Sequence, residues 1–162
     1  MESNQNKLTH IDGNGKATMV DVSAKQPTHR TATAQSIVVL PHEVLAYLVD
    51  GELQTKKGAV FQTAIIAGIM AAKKTGELIP LCHPIGMDNC QVNIGLNENN
   101  EVLVECTASI TAKTGVEMEA LVGASMAALT VYDMCKAMSH DIVIKETKLI
   151  SKTGGKRDFK RA

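Results

Sequence analysis

The sequence predicts an α+β fold of the ferredoxin-like class, a βαββαβ unit with an additional helix, its antiparallel sheet packed on helices. Three observations predict it. Apolar residues alternate with polar ones over 91–96 and again over 102–110, and the polar turn Asn97-Glu98-Asn99-Asn100 between them makes a hairpin. Two long stretches, 58–72 and 120–132, carry no charge and suit helices rich in small residues. Apolar, β-branched segments at 33–40 and 142–151 supply the first and last strands.

The elements follow in order. Residues 1–18 are polar and Gly-containing, with no periodicity, and read as a flexible N-terminal arm. A single folded domain is expected over 19–152, followed by a flexible Gly/Lys-rich tail at 153–162. The strand ending in Ile37-Val38-Val39-Leu40 gives way to Pro41, which opens a helix where a missing N–H costs nothing. Val44, Leu45, Leu48 and Val49 would form the apolar face of that helix, and Gly51 would close it. After Lys56-Lys57-Gly58 a second helix is expected over 59–74. Prolines at 80 and 84 exclude an interior helix or central strand, so 78–84 reads as a structured loop. Thr114-Gly115-Val116-Glu117 matches a capping box, in which Thr114 accepts from the N3 amide while Glu117 reaches back. The helix it opens would run to about Met138.

Composition narrows the function. A chain of 162 residues suits one domain. Lys+Arg and Asp+Glu both total 17, a formal charge of zero, which argues against nucleic acid as the main partner. With two Tyr, two Phe and no Trp, a stacking platform for bases is not expected either. Cys82, Cys90, Cys106 and Cys135 form no CxxC pair, so reduced thiols in the cytoplasm are expected. The polar start argues against a signal peptide. The uncharged run 58–72 is shorter than the ~18 residues of a membrane span, so a soluble protein away from membranes is expected.

Helices without charge need cover. Ala67, Gly68, Ala71 and Ala72 in one, and Gly123, Ala124, Ala127 and Ala128 in the other, let backbones approach closely. One small domain can hardly bury such helices on every side, which points to a homo-oligomer. The alternative is a monomer in which Ser, Thr and Gln supply the wet face.

Several residues could carry chemistry. Asp133 and Lys136 lie three apart on one helix face, where they read either as an ordinary surface ion pair or as an acid/base pair in a partly dry pocket. Asp133 is the first charge after the uncharged stretch 120–132, which favours the second reading. In Cys82-His83-Pro84 the proline extends the histidine's backbone and fixes where its ring points; His83 is a structural loop residue or a substrate donor. Two adjacent ligands fall short of what zinc needs, and no carboxylate cluster announces a metal, so no metal or other cofactor is expected. Glu119 sits in the first turn of the long helix, fourteen residues before Asp133, or roughly 21 Å along the axis. If both serve one site, that site lies between subunits. Lys56 and Lys57 before Gly58, and Lys152 and Lys156 around Gly154-Gly155, are candidate phosphate contacts. The tail lacks P-loop spacing.

Assembled, these residues resemble a known family. Met19-Val20-Asp21-Val22-Ser23, Ile79-Pro80-Leu81-Cys82-His83-Pro84, Lys113-Thr114-Gly115-Val116-Glu117-Met118-Glu119-Ala120-Leu121 and Tyr132-Asp133-Met134-Cys135-Lys136-Ala137 look like the signature segments of the molybdenum cofactor biosynthesis protein C family, the cyclic pyranopterin monophosphate synthases. Leu8-Thr9-His10-Ile11 and Lys152-Thr153-Gly154-Gly155-Lys156 match as well. The resemblance implies a hexamer of three dimers with active sites between subunits. It implies conversion of a cyclised dihydroguanosine triphosphate into cyclic pyranopterin monophosphate, with release of diphosphate. Asp133 and Lys136 would be the catalytic pair. Leu81, Cys82, His83, Met118 and Glu119 would contact substrate, Lys57 and Lys152 would complete the charged pocket, and Arg30 is a further candidate. Burial would tune the carboxylate and the lysine for proton transfer. One departure is visible: the family tail reads Gly-Gly-Lys-Ser-Gly-Asp-Phe, whereas Gly155-Lys156-Arg157-Asp158-Phe159 is a residue shorter. The competing class is a non-catalytic oligomeric nucleotide-binding module of the same fold.

Overall fold

The structure is a computed structural model and describes residues 10–162. The first half of the expected N-terminal arm, with Leu8 and Thr9, lies outside the described residues. Strand β1 (Thr28–Val39) is followed by the single helical turn α1 (His42–Leu45) and the short strands β2 (Leu48–Val49), β3 (Glu52–Thr55) and β4 (Gly58–Ala59). Helix α2 (Val60–Ala72) and the turn α3 (Thr75–Leu78) lead into the hairpin β5 (Asn89–Leu96) and β6 (Val102–Ala112). Helix α4 (Glu117–Cys135), strand β7 (Val143–Thr153) and the two-residue β8 (Phe159–Lys160) complete the chain.

The main sheet has the order β5-β6-β1-β7-β8, every pair antiparallel. Without β8 this is the ferredoxin-like arrangement, with β1 and β6 central and α2 and α4 as the two crossover helices. Alternation fixes which face they cover. On β1, Ala32, Ala34, Ser36 and Val38 are buried, and on β6 Val102, Val104, Cys106, Ala108 and Ile110 are buried. Val60, Ala64, Ala120, Ala124, Ala127, Ala128 and Val131 of the helices pack on them in one core. Ser36 satisfies its buried hydroxyl on Thr147, at 2.6 Å. The other face of the sheet is a polar ladder, with Thr33 bonded to Thr107 at 2.9 Å and Gln35 donating to Glu105 at 3.0 Å.

Small residues set how closely the helices approach. A Cβ on Gly68 would stand 2.8 Å from the carbonyl of Gly123, and one on Gly123 would stand 2.6 Å from the Cys106 sulfur. The uncharged composition of α2 and α4 therefore has a local cause: the two backbones touch each other and the sheet. It leaves Ile66, Met70 and Leu129 exposed all the same.

Two local expectations give way. Leu48 and Val49 do not extend a helix. They pair with Leu53 and Glu52, because Asp50 and Gly51 both adopt positive φ (51° and 80°) and turn the chain into a hairpin. The capping box does not form either. Val116 occupies the N-cap position without a side-chain cap, and the Glu117 carboxylate bonds Lys152 at 3.0 Å. A charge-assisted bond across the fold outcompetes a neutral amide nearby. Residues 153–162, read from the sequence as a flexible tail, carry β8, in which Lys160 pairs with Ser151 and Phe159 with Lys152.

The helix contact yields a test. Alanine favours a helix over glycine by about 1 kcal/mol, whereas forcing a methyl into a filled contact costs about 1–3 kcal/mol. Gly68→Ala should therefore lower the urea midpoint, since the atom it meets is backbone and cannot swing aside. An unchanged or higher midpoint would mean the helices are free to part.

Candidate functional site

The chain carries two chemical centres, one at each end of α4. At its N-terminal end lies a cavity of about 720 Å³, walled by Leu81, Cys82 and His83 on one side and by Met118 and Glu119 on the other. The 79–88 loop is held in place by close packing, since Gly76 of α3 lies against Pro84 so tightly that a Cβ there would stand 2.9 Å from its Cα. His83 Nε2 lies 2.7 Å from the carbonyl oxygen of Val20. A carbonyl only accepts, so Nε2 carries the hydrogen. The histidine thereby ties the 19–23 segment to the cavity wall. Lys113 does the same from the other side, donating to the Ser23 carbonyl at 2.8 Å.

Glu119 is the unusual group in this cavity. It is 2% exposed, and its Oε2 has no hydrogen-bond partner among the described residues. Burial pushes its carboxyl above the ordinary range, opposed in part by its own backbone N–H, and the nearby Glu117 charge adds a smaller upward push. Burial also raises the Cys82 thiol, with Glu119 contributing, so this cysteine is a thiol and not a thiolate nucleophile. Cys135, pushed up to about 11 by burial, is equally inert.

A second cavity of about 510 Å³ adjoins the first and shares Gly115, Glu117 and Lys156 with it. Its charged lining is Arg30, Lys152, Lys156 and Arg157, against Glu117 alone. Arg30 is fixed by donating to the carbonyls of Ala112 and Lys113, at 3.2 and 3.3 Å. Lys152 is fixed by Glu117. Gly154, at φ +81°, brings the tail so close to β1 that a Cβ there would collide with the His29 carbonyl. Fixed cations beside an open cavity suit a polyanion, such as a phosphate chain.

The other centre is at the C-terminal end of α4. Asp133 Oδ1 lies 2.7 Å from Lys136 Nζ, and Asp133 Oδ2 lies 3.2 Å from Lys57 Nζ. Lys57 also donates to the Asp133 carbonyl, at 3.3 Å. Lys136 first and Lys57 second hold the Asp133 carboxyl below the usual carboxylate range, and Asp133 in turn raises the Lys136 ammonium. At neutral pH the centre is a carboxylate between two ammonium groups, a base beside an acid. Within the single chain burial contributes little to this centre. In the single chain the side chain of Asp133 is 55% exposed and that of Lys57 51% exposed, because Asp133 stands on the outward face of a turn whose Met134 and Cys135 are buried in the core.

The residues singled out from sequence thus fall into two sets. Leu81, Cys82, His83, Met118 and Glu119 meet in one cavity, and Arg30 and Lys152 meet in its neighbour. Lys57, Asp133 and Lys136 meet elsewhere, roughly 21 Å away along α4. Glu117 was read as a cap and instead links the two cavities through Lys152. Arg157 was not singled out; its place in a Gly-rich, Lys-rich tail was the available signal. Among the described residues no group of three His, Cys, Asp or Glu could hold a metal ion, and no helix is long and apolar enough to cross a membrane.

Comparison with known proteins agrees with this arrangement of motifs. A family model described as the MoaC family matches residues 19–155. The cyclic pyranopterin monophosphate synthase of Xanthomonas campestris pv. campestris (strain B100) is 54% identical over 153 residues, which cover 94% of this chain and 93% of the relative. The protein of the same name from Xanthomonas oryzae pv. oryzae (strain MAFF 311018) is 52% identical over 158 residues, covering 98% and 96%. Molybdenum cofactor biosynthesis protein 1 of Dictyostelium discoideum is 51% identical over 168 residues, covering 93% of this chain and 27% of that longer protein.

Glu119 generates a stability test. A carboxyl whose folded pKa is raised favours folding most below its unfolded value, and that contribution is lost as pH rises through the folded value. Glu119→Gln removes the charge that burial penalises. The variant should be more stable than the parent at pH 8, by about 1–3 kcal/mol or roughly 2–4 °C per kcal/mol. The two melting curves should converge near pH 4. Equal midpoints at both pH values would mean that Glu119 is solvated.

Proposed function

The chain belongs to the MoaC family, and from that membership we propose that it is a cyclic pyranopterin monophosphate synthase of molybdenum cofactor biosynthesis. Its substrate on this reading is (8S)-3',8-cyclo-7,8-dihydroguanosine 5'-triphosphate, and diphosphate is released. The observation that carries the reading is the Asp133 carboxylate held ionised against Lys136 at 2.7 Å, with Lys57 as a second cation. Rearranging the purine remnant needs a base and an acid side by side, and Asp133 and Lys136 supply them. Closing the cyclic phosphate requires a sugar hydroxyl to attack the inner phosphorus while diphosphate departs. Lys57 and Lys136 would balance charge at that centre, and Arg30, Lys152 and Lys156 would hold the phosphate chain. Leu81 to His83 and Met118 to Glu119 would contact the bicyclic head.

These roles need two chains. The ends of one α4 are too far apart for a single small-molecule pocket. The proposed site therefore takes Asp133, Lys136 and Lys57 from one protomer and the Glu119 cavity from another. Exposed Ile66, Met70 and Leu129 on α2 and α4 favour such an assembly, proposed as a hexamer of three dimers. Residues 19–152 would form the catalytic domain, acting in the cytoplasm, where Cys82, Cys90, Cys106 and Cys135 stay free thiols.

Diphosphate release from the cyclised nucleotide tests this. Asp133→Asn should lower turnover by about 10²–10⁴-fold with native mass of the assembly unchanged. Mixing it with Glu119→Gln under subunit exchange should restore activity at roughly a quarter of the sites, since a mixed interface can join Asp133 from one variant to Glu119 from the other. A fully active Asp133→Asn variant would sink the catalytic assignment. Mixtures no better than their parts would sink the shared site.

A further inference from the structure

Helix α2 begins without a capping residue of its own. Its N-cap is Ala59, which has no side-chain acceptor for the free amides of the first turn. A residue from β3 does the work instead. Glu52 Oε1 accepts from Phe61 N–H at 2.7 Å and from Leu53 N–H at 2.8 Å, and Glu52 Oε2 accepts from Gln62 N–H at 3.0 Å. Both oxygens are engaged, with the negative charge at the positive end of the α2 dipole. The carboxylate also ties together the two ends of an excursion of the chain, β3 on one side and the start of α2 on the other.

Lys57 stands at the tip of that excursion. Its backbone N–H is held by the Thr55 hydroxyl at 3.1 Å, which itself donates to the Gly58 carbonyl at 3.2 Å. Gly58 turns at φ +112°, a region closed to most residues. From this turn Lys57 reaches both the carboxylate and the backbone carbonyl of Asp133. An ion pair between half-exposed side chains is weak and pays side-chain entropy to hold one geometry. The order of this pair must then come from the backbone beneath Lys57, which the pairing of β3 with β4 (Gln54 with Ala59, Thr55 with Gly58) holds and which Glu52 ties to the first turn of α2.

We propose that Glu52 is a positioning residue of the active centre: by clamping β3 to the first turn of α2, its carboxylate holds the 55–58 turn so that Lys57 meets Asp133. The inference rests on the reading of Asp133 and Lys57 as part of the catalytic centre. Glu52 itself touches neither Lys57 nor Asp133 among the contacts described, so its effect passes through the turn. Because the clamp and the N-cap are the same carboxylate, the test has to separate placing Lys57 from merely supporting a helix.

The experiment uses the full chain, assayed by diphosphate release, with Glu52→Gln, Lys57→Ala and the double variant. A glutamine keeps one acceptor and places an amide against Gln62 N–H, so the clamp is broken with little change in volume. Glu52→Gln should lower kcat about 10-fold. It should also move the acid limb of kcat/KM to higher pH, in the direction of Lys57→Ala, because Asp133 loses one of the cations that keep it ionised. In the Lys57→Ala background Glu52→Gln should cost nothing further, within about twofold. Adding Ala59→Asp to Glu52→Gln supplies an acceptor at the N-cap itself. That variant should recover the thermal midpoint and keep the low kcat, since the carboxylate tie from β3 to α2 is still missing, and it allows the test even if Glu52→Gln alone folds poorly. Losses that multiply in the double variant, an acid limb that stays in place, or recovery of kcat by the new cap would each overturn the proposal. Full activity of Lys57→Ala would instead overturn the reading of the centre on which it rests.

Discussion

Nineteen residues of uninterrupted helix, Glu117–Cys135, run between a buried carboxyl and an exposed one. A rod of that length cannot bend both ends into a single small pocket, and its small residues allow it to lie flat on β1 and β6 beside α2. Among the described residues, the candidate site residues are arranged around that rod. One end opens into the cavities beneath the 79–88 loop and the tail. At the other end Asp133 faces outward, where Lys57 comes to meet it. The Gly68 and Gly123 contact keeps α2 and α4 in register, and α2 in turn carries the excursion that bears Lys57.

The two carboxyl groups of α4 are pushed in opposite directions by different physics. Asp133 is solvated and paired, and neighbouring ammonium groups keep it ionised. Glu119 is dry, and one of its oxygens has no partner among the described residues, so burial pushes it upward. A helix that keeps one carboxylate ionised by neighbouring ammonium groups and pushes the other upward by burial has set the two apart by environment alone. The distinction also explains how the basic residues are spent. Lys57 and Lys136 are committed to Asp133, and Lys152 is committed to Glu117, while Lys156 and Arg157 line the cavity without a described ion pair.

Much of the sheet was legible in the sequence because alternation survives wherever one face is buried. The β5–β6 hairpin and the two helices could be read from residues a few positions apart. What could not be read was set by distant partners. Asp50-Gly51 allows both a helix end and a hairpin turn, and only the pairing of Leu48 with Leu53 decides between them. Glu117 could have closed a capping box, but Lys152, thirty-five residues away, took its carboxylate. Arg30 had no local signal strong enough to place it. The register of β1 against β7, with Ala32 opposite Lys152, is what brings it to the cationic cavity. Glu52 was invisible for a related reason, since its partners are backbone amides and leave no mark in the sequence.

The outer positions of α2 and α4 complete the argument about assembly. Ile66, Met70 and Leu129 are too apolar for a solvated face, and the inward positions are already filled by Ala and Gly in contact with the sheet. Turning either helix to hide those side chains would drive Gly68 or Gly123 out of a contact that admits no Cβ. The exposed residues cannot be buried by adjusting the monomer, so the economical solution is another surface laid over them. A second protomer would cover that apolar area and could bring its own α4 terminus towards the Asp133 centre. On the proposed reading, the packing constraint that makes the helices smooth also makes the centre incomplete in one chain.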